Sequence, residues 1–125
     1  MSLDYLMLGS NDVPKARAFY DEVFPKIGGK LVAEHMPHAF CYKLRGGAYV
    51  WIAQPYDKGE AVPGNGGMLG LKCESKEQVD EAHKLCLTLG ATDEGAPGPR
   101  PAYGPSFYGG YVRDLDGNKM SFVIY

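Results

Sequence analysis

The chain has 125 residues, 45% hydrophobic and 22% charged, which is enough for one domain with a real core. Its 13 basic and 15 acidic residues give a formal net charge of -2 and are scattered, which excludes a basic stripe for nucleic acid and a repelling acidic tail. No apolar run approaches the ~20 residues that span a bilayer, and no basic region with an apolar stretch and cleavage site opens the chain, so a cytoplasmic protein with no membrane partner is expected.

Leu3 to Gly9 reads as a strand, with aliphatic Leu6 and Leu8 alternating against Tyr5, Met7 and Gly9. Ser10, Asn11 and Asp12 supply cap candidates, and Pro14 fits a first helical turn, so a helix is expected from Pro14 to about Ile27. Ala16, Phe19, Tyr20, Val23 and Phe24 form its apolar stripe, and Pro25 with Gly28 and Gly29 ends it. Three strands follow, Lys30 to Glu34, Phe40 to Leu44 and Ala48 to Gln54. In the last, Val50 and Ile52 alternate against Tyr49, Trp51 and Ala53. Residues 56–67, rich in glycine, read as a linker.

The outline then repeats. Met68 to Cys73 is a strand, and Ser75 with Gln78 makes a capping box for a helix from Lys76 to Leu89. Val79, Ala82, Cys86 and Leu89 form the buried stripe, with His83 expected at its edge on the surface, and Gly90 stops the helix in the left-handed conformation. Ala91 to Pro105 reads as a short strand and a long loop. The last stretch, Tyr111 to Tyr125, is two strands around an Asp116-Gly117 turn, with Met120, Phe122 and Ile124 on one face and Ser121, Val123 and Tyr125 on the other.

The expected fold is therefore α+β: two βαβββ modules, about 1–55 and 68–125, in a single domain over 1–125. Their strands curl as a mixed sheet around a cleft, and helices cover the aliphatic faces through Leu6, Leu8, Val50, Ile52, Leu69, Leu71, Phe122 and Ile124. Cys41, Cys73 and Cys86 cannot all pair, and none lies in a Cys-x-x-Cys spacing, so reduced thiols are expected; Cys73 and Cys86 fall on buried stripes, while Cys41 is left open.

Asn-Asp-Val-Pro-Lys-Ala-Arg-Ala-Phe-Tyr at residues 11–20 and Tyr-Val-Arg-Asp-Leu-Asp-Gly-Asn-Lys-Met at 111–120 resemble the first helix entry and closing hairpin of the vicinal oxygen chelate superfamily. This group includes the glyoxalases, the bleomycin- and fosfomycin-resistance proteins and the extradiol dioxygenases. The Gly95 to Pro101 loop with Tyr103 to Tyr108 is similar to one found in bacterial glyoxalase-like members. The resemblance implies a divalent metal held by one histidine or acid from each of four strands, and it places those positions at Tyr5, Trp51, Met68 and Ser121. None of these is a usual ligand, so no metal and no cofactor is expected. The spacing puts His35 and His38 near each other, so a different metal site could be built there, but Glu34 is the only carboxylate beside them and the two histidines read first as exposed or pocket-rim groups.

The function expected first is a metal-free small-molecule-binding protein of the resistance-protein type. Tyr5, Trp51, Met68, Arg100, Tyr103, Phe107, Tyr111 and Ser121 would line an aromatic cleft, with Tyr125 and Lys72 beside them. A glyoxalase-like lyase or dioxygenase-like enzyme with an atypical site is the alternative, although no catalytic residue is identifiable. A module acting through dimerisation is a third. The resemblance implies a homodimer, with an unknown small organic molecule as partner.

Overall fold

The computed structural model describes residues 1–125, which fall into two compact units, Met1–Val62 and Pro63–Tyr125. In the first, the order is β1 (Tyr5–Gly9), α1 (Val13–Val23), a 3-10 turn (Phe24–Ile27), β2 (Lys30–His35), β3 (Ala39–Lys43) and β4 (Tyr49–Ala53). The strands form one four-stranded sheet in the order β1-β4-β3-β2, with β1 parallel to β4 and the other pairs antiparallel.

The sequence fixes α1 at both ends. Asp12 caps it by accepting from the Lys15 N–H at 3.1 Å, Pro14 occupies the first turn, and Gly28 closes the following 3-10 turn at φ 87°. Val13, Ala16, Phe19, Tyr20 and Val23 are buried against one face of the sheet, where Phe40, Tyr42, Val50 and Ile52 are buried as well. Rings interlock at this contact, Tyr20 with Phe24 at 4.7 Å and Phe24 with Tyr42 at 5.2 Å between centroids. Each such side chain contributes about 1.5–3 kcal/mol through burial. The Tyr42 hydroxyl donates to Asp21, and Arg17 bridges Asp21 and Glu34, tying α1 to two strands at the rim.

The second unit runs β5 (Leu69–Lys72), α2 (Lys76–Thr88), β6 (Thr92–Pro99), a 3-10 turn (Pro101–Tyr103), β7 (Tyr108–Arg113) and β8 (Lys119–Ile124). Its sheet has the order β5-β8-β7-β6, with β5 parallel to β8. The internal repeat extends to register: Leu6 faces Val50 and Leu8 faces Ile52, as Leu69 faces Met120 and Leu71 faces Phe122. Ser75 caps α2 by accepting from the Gln78 N–H at 3.1 Å, and the Gln78 side chain reaches back to the Glu74 N–H at 2.8 Å. Gly90 ends the helix region at φ 102°. Of the eight aliphatic positions expected beneath the helices, Val50, Ile52, Leu69, Leu71 and Phe122 are buried and Leu6, Leu8 and Ile124 are half-buried. Neither helix is long and apolar enough to cross a membrane.

The paired βαβββ modules of the α+β fold are present, and hydrogen bonding gives each unit its own four-stranded mixed sheet. Some local expectations change. The segment after Ala91 is an eight-residue strand rather than a short one, because its glycines allow register shifts that keep it paired with β7 despite three prolines in the stretch 97–101. Residues 56–67 carry no helix or strand, as expected of a linker, although Ala61 within them is buried and held by the Asn11 side chain. His83 is not a surface residue: it is 5% exposed and lies 3.2 Å from Asp93 of β6. Gly110 of β7 admits it, since a Cβ there would stand 3.2 Å from the imidazole.

Candidate functional site

Each sheet has one face covered by its own helix and one face that its own unit leaves bare, and strand alternation sends a different chemistry to each. In the first unit the bare face carries Tyr5 and Met7 from β1, Tyr49 and Trp51 from β4, Lys43 from β3 and His35 from β2. Tyr5 is 55% exposed and pairs with Tyr49, while Met7 pairs with Trp51, so Tyr5 and Trp51 are diagonal neighbours. The indole stacks on His35 with centroids 5.9 Å apart and planes within 7°, and the Lys43 ammonium lies 5.5 Å from the centre of the Tyr49 ring. Cys41, left open by the sequence, is buried as the cross-strand partner of Trp51, and burial pushes its thiol pKa up.

In the second unit the bare face is built on the row Gly70, Ser121, Tyr111, Gly95, read across the four strands. Ser121 is 2% exposed between Gly70 and Tyr111. A second row holds Lys72, Val123, Gly109 and Gly98. Aromatic rings stand along the edge, Tyr103 edge-on to Phe107 at 5.3 Å and Phe107 stacked on Tyr125 at 6.1 Å. Cations sit over the rings: Lys72 is 4.8 Å from the centre of Tyr125, and Arg100 and Lys119 are 5.5 and 6.0 Å from the centre of Tyr111. Arg100 is fixed by donating to the carbonyls of Ala96 and Pro99 at 2.8 and 3.2 Å.

The expected residues thus divide between units. Tyr5 and Trp51 share the first bare face; Arg100, Tyr103, Phe107, Tyr111 and Ser121 gather on the second. Met68, 53% exposed, lies one residue before β5, and the alternation of that strand gives it the Gly70 side. Tyr103 is 68% exposed, at the outer rim. Met7, Tyr49, Lys43 and Lys119 join them on these faces beyond the residues expected from the sequence. The alternation that carries Tyr5, Trp51 and Ser121 also carries Met7, Tyr49 and Lys119, two residues away along the same strands, and Lys43 is the cross-strand partner of Tyr49.

The four positions where the resemblance implies a metal present a phenol, an indole, a thioether and a hydroxyl. A hard divalent ion or zinc needs carboxylate, imidazole or thiolate donors, so this set does not fit one. His35 is stacked on Trp51, His38 is bonded to Gln54 at 3.2 Å, and no group of three His, Cys, Asp or Glu side chains is disposed to hold a metal.

A cavity of about 500 Å³ opens elsewhere in the first unit, at the start of α1, among Asp12, His38, Gln54, Lys58 and Glu60. None of the expected site residues lines it. Its charges are of mixed sign, and Asp12 and His38 are already engaged, as helix cap and as partner of Gln54. The bare sheet faces, where aromatic rings and unneutralised cations converge, are the better candidates.

A profile of the Glyoxalase/Bleomycin resistance protein/Dioxygenase superfamily matches residues 2–122. Among solved structures, a glyoxalase/bleomycin resistance protein from Albidiferax ferrireducens T118 is 31% identical with a TM-score of 0.84, over 97% of this chain and 96% of that one. A glyoxalase-related enzyme from Fulvimarina pelagi is 21% identical with a TM-score of 0.80, over 100% and 88% of the two chains. A lactoylglutathione lyase from Agrobacterium tumefaciens is 20% identical with a TM-score of 0.70, over 98% and 92%. The last two likenesses concern the fold. No curated protein sequence matches this chain.

Proposed function

We propose that this chain, which belongs to the glyoxalase/bleomycin resistance protein/dioxygenase superfamily, binds a small, partly aromatic organic molecule on its bare sheet faces and does so without a metal ion. The observation that carries this reading is the replacement of every expected donor by Tyr5, Trp51, Met68 and Ser121, within faces that supply stacking surfaces instead. Aromatic rings and a thioether gain most from a flat, apolar ligand body, and nearby cations and the Ser121 hydroxyl orient its polar end. No nucleophile paired with a base stands on either face, which supports binding over covalent catalysis. The working form is a homodimer in the cytoplasm, a compartment that suits three buried cysteines outside any disulfide.

The test combines two measurements on protein purified without chelators. Elemental analysis is expected to find far less than one nickel, zinc, iron or manganese per chain, and a thermal-shift panel of aromatic molecules is expected to raise the melting temperature. A ligand at about 100 times its Kd adds about 2.7 kcal/mol. Metal near one per chain, lost on replacing Tyr5 or Ser121, would overturn the metal-free reading and restore a lyase or dioxygenase. Light scattering at one chain mass would remove the homodimer.

A further inference from the structure

The charges of the second unit are sorted by face. Residues 63–125 hold six Lys and Arg against eight Asp and Glu, an acidic balance. Yet Lys72, Arg100, Arg113 and Lys119 all belong to the bare face, by strand alternation or by their contacts with its rings and with Glu94. Glu77, Asp80 and Glu81 ride on α2, across the sheet, and Asp93 is engaged with His83 and the Gly95 N–H. Asp114 and Asp116 lie in the β7–β8 turn, where Asp114 accepts from the backbone of Asp116 and Asn118. Glu74 lies in the connection into α2, its own N–H taken by Gln78. Only Glu94 answers a cation of the bare face, and its partner is Arg113. Lys72, Arg100 and Lys119 have no carboxylate and rest over the rings of Tyr125 and Tyr111.

We infer that the ligand of this face is a planar aromatic anion, a carboxylate or sulfonate on a ring system of one or two rings. The inference rests on the binding reading above and adds the ligand's charge. Three cations concentrated without counter-ions in an acidic unit raise the local potential for an anion and repel a cationic ligand. Arg100 is preorganised by its two backbone acceptors, so its remaining N–H groups reach an anion at little entropic cost, and its planar fork suits a carboxylate. The face is low at Gly70, which is exposed and where a Cβ would meet only the Ser121 Oγ, at 3.6 Å, whereas Gly109 is already covered by Phe107 and Val123; a flat ring can lie over Gly70, on the row that leads through Ser121 to Tyr111. The occupant is therefore small, flat and negatively charged at one end.

The experiment uses three probes of matched shape, 2-naphthoate, 2-naphthol and 2-naphthylmethylammonium, titrated calorimetrically into the full chain. Naphthoate is expected to bind at least tenfold tighter than naphthol and to weaken as salt rises, with the ammonium probe weakest. Arg100→Met and Lys72→Met should each cost naphthoate about tenfold while leaving naphthol unchanged. Lys76→Met, which removes an equal charge from α2 across the sheet, should change neither. Naphthol or the ammonium probe binding as tightly as naphthoate overturns the anion assignment and leaves the binding reading standing. Equal losses in Lys76→Met and Lys72→Met overturn the assignment to this face. Failure of all three probes to bind overturns both readings.

Discussion

Gly70 lies directly opposite Ser121 across β5 and β8, and a Cβ on Gly70 would stand 3.6 Å from the serine Oγ, an ordinary contact. Gly110, on the helix side of the same sheet, is different: a Cβ there would be 3.1 Å from Pro97 and 3.2 Å from His83. Gly70→Ala is expected to fold normally and gain about 0.5 kcal/mol in chemical denaturation, because glycine in a strand carries excess unfolded entropy. Gly70→Val, which raises the floor of the bare face, should lower affinity for a planar ligand tenfold or more. Gly110→Ala should cost about 1–3 kcal/mol through overpacking between α2 and β7.

Asn11 clamps Ala61 by both backbone groups, donating to its carbonyl at 2.9 Å and accepting from its N–H at 2.7 Å across 50 residues of chain. The same contact closes over Gly9, where a Cβ would sit 3.0 Å from the Ala61 methyl. Asn11→Ala removes both bonds and strands a part-buried peptide, so unfolding in urea should show a loss of about 1–3 kcal/mol. Asn11→Asp keeps the acceptor alone, and its melting temperature should fall between the two.

All three thiols are expected to be unreactive in the folded state, because all three are buried. Cys41, Cys73 and Cys86 are buried, and burial, with Asp114 nearby, pushes the Cys86 thiol up to about 12. At pH 8 a thiol-reactive dye should label none of them within minutes in native protein and all three in guanidinium. Rapid native labelling of Cys41 would show that the β3–β4 pairing opens far more readily than a buried strand should.

Asp93 is held below the ordinary carboxylate range, chiefly by the Gly95 N–H and then by His83. A carboxylate with a depressed native pKa stabilises fully above its unfolded value near about 4, and loses that contribution as pH falls through the lower native value. Wild-type stability should therefore drop more steeply than that of Asp93→Asn on acidification from about pH 5 to pH 2. Identical slopes in thermal melts would remove Asp93 from the acid response.

Periodicity, with cap, proline and glycine signals at the ends, located the two helices and all but one of the strands close to their observed bounds, since the core faces are written in side-chain hydrophobicity that needs no partner to be read. It also put Ser121 on the same face as Val123 and Tyr125, because alternation is a local property. His83 shows where such reading stops. Its position on the Val79–Cys86 stripe is buried, but its polarity argued for the surface until Asp93 from β6 and the missing side chain of Gly110 made room and a partner for it. Likewise β6 is kept as a strand by pairing with β7 against its own prolines and glycines.

The sequence by itself determined that this chain folds as a repeated βαβββ unit, a matter of residue type at fixed spacing, and the four positions that the family resemblance ties to a metal, Tyr5, Trp51, Met68 and Ser121, carry no usual donor. The tertiary structure decided which charges share a face. Lys72, Arg100 and Lys119 are separated by 28 and 19 residues, and nothing in a net charge of -2 marks them as a group. They converge over Tyr125 and Tyr111 because the parallel pairing of β5 with β8 and the return of β7 bring distant strand positions into one row, while α2 carries its acids to the opposite side. Electrostatic selectivity depends on separation in space, since the interaction falls off over about 8 Å in physiological salt, and register sets that separation where sequence distance does not.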